Sequence, residues 1–192
     1  MATTGAAHPE VAPRRRRFTV AEFERMGEIG IFTEDDRVEL IAGVIVDMSP
    51  ADGRHIAAVN RLNQRLGRQI GAEMLVSMQN PVVLSDDSEP QPDIAILRDR
   101  VYDVVPTVED ILLVIEVADS TLAYDRDVKL PLLYAPAGIP ESWLFDLVNT
   151  RLERHSEPGP DGYRLVARAG RCESLASTVL PGITLAVDTL LG

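Results

Sequence analysis

The sequence predicts an α/β (α+β) fold in which a mixed β-sheet is flanked by helices and extended by an antiparallel meander. Three stretches carry that expectation. Residues 111–118, ILLVIEVA, hold seven apolar side chains in eight, the composition of an inner strand covered on both faces. Residues 53–71 repeat apolar side chains at helical spacing, and residues 141–169 alternate with the period of an antiparallel ribbon. Helices and strands interleaved in this order pack as layers on a shared sheet.

From the N-terminus, residues 1–17 are rich in Ala, Pro, Thr and Arg and read as a flexible arm, with residues 18–192 as one domain. TVAEFERMG predicts a short helix: Thr19 is its N-cap, Glu22 completes a capping box, and Gly27 is the expected stop. RVELIAGVIVDMSP reads as a hairpin, because two apolar runs flank Ala42 and Gly43. In the long helix over residues 53–71, a wheel of about 100° per residue puts Val59, Leu62, Leu66 and Ile70 on one stripe. Arg54, Arg61, Arg65 and Arg68 form another, the sole patterned basic surface of the chain. EMLVSM and NPVVLS follow as short strands, then PDIAILR and ILLVIEVA as inner ones. DRDVKLPLLYAPAG spaces Leu130, Leu133 and Tyr134 as a helix does, with Gly138 as its stop and Pro131 in its first turn or at a kink. ESWLFDL, TRLERHSE and GYRLVARA make the meander, EPGPDG supplies a turn, and GITLAV is the last strand.

Bulk properties narrow the function. The chain has 192 residues, of which 45% are hydrophobic and 26% charged, as in an ordinary globular domain. Its longest uncharged apolar run, residues 111–115, falls far short of the roughly 20 residues a membrane span needs. The N-terminus has no apolar core of a signal peptide, and a single cysteine, Cys172, forms no internal disulfide, so a cytoplasmic protein is expected. The net charge of -11 argues against a protein that coats nucleic acid nonspecifically, since such binding runs on phosphate neutralisation by Lys and Arg. A nucleic-acid enzyme is still compatible with it, because carboxylates that await a divalent metal make an apoprotein acidic.

Glu116 is the residue that asks for an explanation, since it lies inside the most apolar strand. Burying an ionised carboxylate costs several kcal/mol unless a cation or hydrogen bonds compensate it. Asp93, after Pro92, opens the preceding apolar strand 23 residues earlier. If the two strands are neighbours, both carboxylates converge at one sheet edge, an oxygen-only set suited to Mg²⁺ or Mn²⁺. Lys129 follows Glu116 by 13 residues, on the next helix, within reach of the same edge.

The order P-D, then Glu within an apolar strand, then Lys, resembles the P-D-(D/E)-x-K nuclease superfamily. More closely, RVELIAGVIVDMSP, His55, QPDIAIL, LLVIEVADST and KLPLLYAPAGIPESWLFD resemble the putative restriction endonuclease family of bacterial genomes, over about residues 18–188. The resemblance implies a restriction-endonuclease-like fold and an Mg²⁺- or Mn²⁺-dependent endonuclease acting on DNA. It implies site positions at Glu39, Asp93, Glu116 and Lys129, with the Val117 carbonyl as a further metal ligand, and a homodimer. Two departures stand out: the superfamily's lysine position two residues after the glutamate is Ala118, and Ser142 stands where the family more often has Tyr.

Other readings of the same residues are bland. Glu116 pairs with an arginine, Asp93 merely starts a strand, Glu39 is solvated on its hairpin, and Lys129 is an i, i+4 partner of Asp125. His55, on the core side of its helix, is read as a satisfied structural histidine, Trp143 as core, and the arginine stripe as a solvated face or a phosphate contact. As a whole, the rival to a DNA nuclease is a non-catalytic binding or regulatory homodimer that keeps the fold; an RNA nuclease differs only in substrate.

Overall fold

A computed structural model describes residues 15–33 and 35–188. Most of the expected arm therefore lies outside the described residues. Its last part is tethered: Arg16 pairs with Glu22, the Arg17 Nη1 donates to the Ala42 carbonyl at 2.6 Å, and the Phe18 N–H donates to the Gly43 carbonyl at 2.9 Å.

Helix α1 (Val20–Glu28) carries the expected capping box of Thr19 and Glu22. It runs past Gly27 to a cap at Ile29, with the left-handed turn taken by Gly30 at φ 76°. Strands β1 (Val38–Ile41) and β2 (Val44–Asp47) form the hairpin, and Ala42 at φ 48° and Gly43 at φ 75° supply the two positive-φ residues of its tight turn. Helix α2 (Gly53–Leu66) is capped by Asp52, whose carboxylate accepts the His55 N–H at 2.8 Å. It ends at Gly67, short of residue 71, so Arg68 and Ile70 lie beyond the helix. Glycine costs about 1 kcal/mol of helix propensity relative to Ala, and the chain turns there to enter the sheet.

The sheet has six strands, β3 (Met74–Met78), β4 (Ile94–Arg98), β5 (Ile111–Ala118), β6 (Glu141–Asp146), β7 (Arg151–Gly159) and β8 (Gly162–Ala169), in that spatial order. Every neighbouring pair is antiparallel except β5 and β6. The expected meander is thus the continuation of the main sheet. A small antiparallel pair, β9 (Ser174–Ala176) and β10 (Thr184–Ala186), completes the described strands. NPVVLS is not a strand: Pro81 offers no N–H to a ladder, and the segment makes isolated bridges, such as Val83 with Thr107, while burying Val82 and Leu84.

The parallel β5–β6 connection is helical. One α-turn, α3 (Leu122–Tyr124), runs into a π-helix (Asp125–Tyr134). Its wide winding shows in the Ala135 N–H bonded to the Leu130 carbonyl, five residues back, at 3.1 Å. Pro131 sits inside this helix, where a first-turn or kinked position was expected. An α-helix would press the proline ring against the carbonyl four residues earlier; the wider winding moves that carbonyl away.

Both faces of β5 are covered, which accounts for its apolar run. Leu113, Ile115 and Val117 pack with Val59, Leu62 and Leu66 of α2 and with Trp143 and Phe145 of β6. Val114 and Ala118 meet Leu130 and Tyr134 of the π-helix. No helix among the described residues is long and apolar enough to cross a membrane.

Candidate active site

Antiparallel pairing sets the start of β4 beside the end of β5, with Ile94 opposite Ile115. Asp93 and Glu116 therefore meet, each holding a backbone N–H of the other's strand: Glu116 Oε2 accepts the Asp93 N–H at 3.2 Å, and Asp93 Oδ2 accepts the Val117 N–H at 2.8 Å. The side-chain alternation of β5 turns Glu116 toward the π-helix, away from α2.

From that helix come the groups that compensate Glu116. The Lys129 ammonium lies 3.3 Å from Glu116 Oε1 and 2.9 Å from Glu39 Oε1, and the Tyr134 hydroxyl donates to Glu116 Oε1 at 2.5 Å. Glu39 Oε1 also accepts the Gln91 N–H at 2.8 Å. All four side chains are buried: Glu39 is 3% exposed, Glu116 3%, Lys129 6% and Tyr134 0%. This excludes a solvated Glu39 and a surface pair of Lys129 with Asp125. Asp125 is itself buried and takes the Thr121 hydroxyl at 2.6 Å.

Burial, with the charges of Asp93, Asp125 and Glu39 added, pushes the Glu116 carboxyl up to about 8 against the pull of Lys129. Burial opposes the charge on Lys129, but Glu116 and Glu39 outweigh it and raise its pKa, so the ammonium persists. Burial raises Tyr134 well above the ordinary phenol.

The cleft above these groups has a volume of about 320 Å³. His55 stands at its wall, not in the core: its Nε2 is 2.9 Å from Asp93 Oδ1, and this hydrogen bond raises its pKa. Gln79 Nε2 reaches the same oxygen at 3.4 Å. Seven of the lining residues are Asp or Glu, against two permanent cations, Arg37 and Lys129. Three of the four arginines of the expected stripe are exposed. Arg54 reaches Asp119 at 3.3 Å and the Leu147 carbonyl at 2.8 Å, Arg61 is half-buried, and Arg65 and Arg68 are exposed. Ser142 places its hydroxyl 2.6 Å from the Tyr163 hydroxyl of β8.

The donor set fits a hard divalent cation. Asp93, Glu116 and the Val117 carbonyl are oxygen donors at the cleft. Among the described residues no three His, Cys, Asp or Glu side chains form a ready cage, and Mg²⁺ does not need one, since it takes one or two carboxylates and keeps several waters.

Two residues of the site escaped sequence reasoning. Tyr134 lies five positions after Lys129, a spacing that an α-helical wheel sends to different faces. Asp125 was weighed only as a surface partner of Lys129. For His55 the usable signal was its place in the first turn of α2, beside the N-cap Asp52, where a side chain leaves the core stripe.

A family model described as "Putative restriction endonuclease", Uma2, matches residues 20–188. Among solved structures, the chain is similar to a putative nuclease belonging to DUF820 from Anabaena variabilis ATCC 29413, with a TM-score of 0.66, 16% identity, and coverage of 91% of this chain and 97% of that one. At that identity the likeness concerns the fold. No curated protein sequence matches the chain.

Proposed function

Since this chain belongs to the Uma2 family of putative restriction endonucleases, we propose that the cleft is the active site of a divalent-metal-dependent endonuclease acting on DNA. The observation that carries the reading is the convergence of Asp93, Glu116 and a buried Lys129 ammonium 3.3 Å from Glu116.

Asp93, Glu116 and the Val117 carbonyl would hold Mg²⁺ or Mn²⁺. A divalent ion bound there supplies an acidified water and charge stabilisation at phosphate. Everything else falls to the chain. His55 and the Val117 N–H each hold one oxygen of Asp93 and so fix its orientation. Glu39 is committed to Lys129 and the Gln91 N–H, and its role is to hold the ammonium at the cleft floor. Lys129 then presents a fixed charge toward the phosphate, where positive charge counts most as negative charge develops. Burial makes that charge stronger than it would be in water. A point cation does this without competing for metal.

Purified protein incubated with supercoiled plasmid, single-stranded DNA and RNA in millimolar Mg²⁺ or Mn²⁺ tests the proposal. Cleavage of DNA that chelation abolishes is the expected result. Cleavage of RNA alone would change the substrate, and binding of DNA with no cleavage under any divalent metal would replace the enzyme by a binding protein.

A further inference from the structure

Resting on that reading, we infer that Tyr134 is a positioning residue of the site, and that the π-winding of the β5–β6 connection is what lets it act together with Lys129. Both side chains touch the same atom, Glu116 Oε1, from one helix. On an α-helix, positions five apart differ by about 140° in direction and cannot meet at one point. With hydrogen bonds closing five residues back, as between Ala135 and Leu130, residues 129 and 134 come round to the same face. The buried face of this helix, Asp125, Lys129, Leu130, Leu133 and Tyr134, has that wider period.

The consequence for Glu116 is geometric. Its Oε1 is taken by two donors of the π-helix, whereas Oε2 lies on the Asp93 side with the Asp93 N–H at 3.2 Å. The carboxyl group is thus held in one orientation, with Oε2 as the oxygen that faces the cleft partner. A phenol suits this task, since it is a neutral donor that aligns the carboxylate and adds no cation to oppose a metal. A tyrosine needed only to fill the core requires nothing of its hydroxyl except some partner. Here the partner is one of the two carboxylates that the proposed chemistry uses.

The test compares wild-type protein with Tyr134→Phe, which keeps the ring and loses the donor. Mn²⁺ affinity is measured by calorimetry, and the melting temperature without metal is measured alongside. An outer hydrogen-bond partner of a metal ligand is commonly worth 10- to 100-fold in affinity, so Tyr134→Phe is expected to bind Mn²⁺ about 10-fold or more weakly, and to lower kcat with an unchanged KM for DNA. Unchanged Mn²⁺ affinity overturns the inference, whatever happens to the melting temperature, and makes Tyr134 a core residue. Should Tyr134→Phe not fold, 3-fluorotyrosine at position 134 alters the strength of the donor at nearly constant shape; Mn²⁺ affinity indifferent to that change is equally fatal. Wild-type protein that binds no Mn²⁺ sinks the metal-dependent reading itself, a failure visible before any variant is compared.

Discussion

At the scale of single residues, the chain answers the cost of Glu116 by itself: a buried ammonium and a phenol meet one oxygen and a backbone N–H meets the other. A second buried carboxylate is treated differently. Glu89 is 7% exposed, its Oε2 has no hydrogen-bond partner, and burial together with the charge of Glu24 pushes its pKa up to about 7. The folded state thus keeps this proton to higher pH than the unfolded state does, so the favourable protonated form is fully present below about 4.5 and is lost as pH rises through about 7. Melting temperatures of Glu89→Gln should accordingly depend less on pH than those of wild type, and lie higher at pH 8. Parallel curves from pH 5 to 8 would show that Glu89 is ionised throughout. The burial of Lys129 has a similar bearing on mutagenesis. Breaking a buried ion pair by removing one partner costs about 3–5 kcal/mol, so Lys129→Ala tests stability as much as chemistry, and Lys129→Gln, which keeps a donor for Glu39, is the informative change.

Among the elements, the β1–β2 hairpin with the loop after it faces the start of the π-helix across the cleft, and α2 contributes His55. Arg65 and Arg68 lie exposed at the far end of α2. If they touch phosphate, Arg65→Glu with Arg68→Glu should weaken DNA binding and reduce the slope of log affinity against log salt by about one for each lost contact. Equal affinity and slope would mark them as an ordinary solvated end. Legibility from the sequence also divides at this scale. The capping box of α1, the hairpin at Ala42 and Gly43, the inner strands and the meander were readable, because each rests on neighbouring residues or a period of two. The meeting of Asp93 with Glu116 was readable only on the condition that β4 and β5 pair. What stayed hidden depends on a period that sequence reasoning does not apply. Tyr134 belongs with Lys129 only at a π-helical spacing, whereas Glu39, on a hairpin 90 residues from Lys129, was reached through the family resemblance alone. Breaks such as Gly67 in α2 and Pro81 after β3 carried local signals that the apolar pattern overrode.

For the molecule as a whole, a net charge of -11 and an acidic cleft mean that a polyanion meets repulsion before it meets Lys129. On the proposed function, divalent cations relieve that repulsion and stabilise the fold by mass action, by about 2.7 kcal/mol at a hundred times the dissociation constant. Millimolar Mn²⁺ should therefore raise the melting temperature of the wild type and leave that of Asp93→Asn nearly unchanged; equal gains in both would place the ion elsewhere.

On the proposed function, Lys129, delivered by the π-helix, works on phosphate from beneath the two carboxylates. Single-turnover cleavage of labelled DNA by Lys129→Gln, at saturating Mn²⁺ and with the fold checked by circular dichroism, addresses this role most directly. Losing one fixed electrostatic stabiliser commonly costs about 10² to 10³ in rate, so a loss of that size with Mn²⁺ affinity retained is expected. A folded Lys129→Gln that cleaves at the wild-type rate would contradict it.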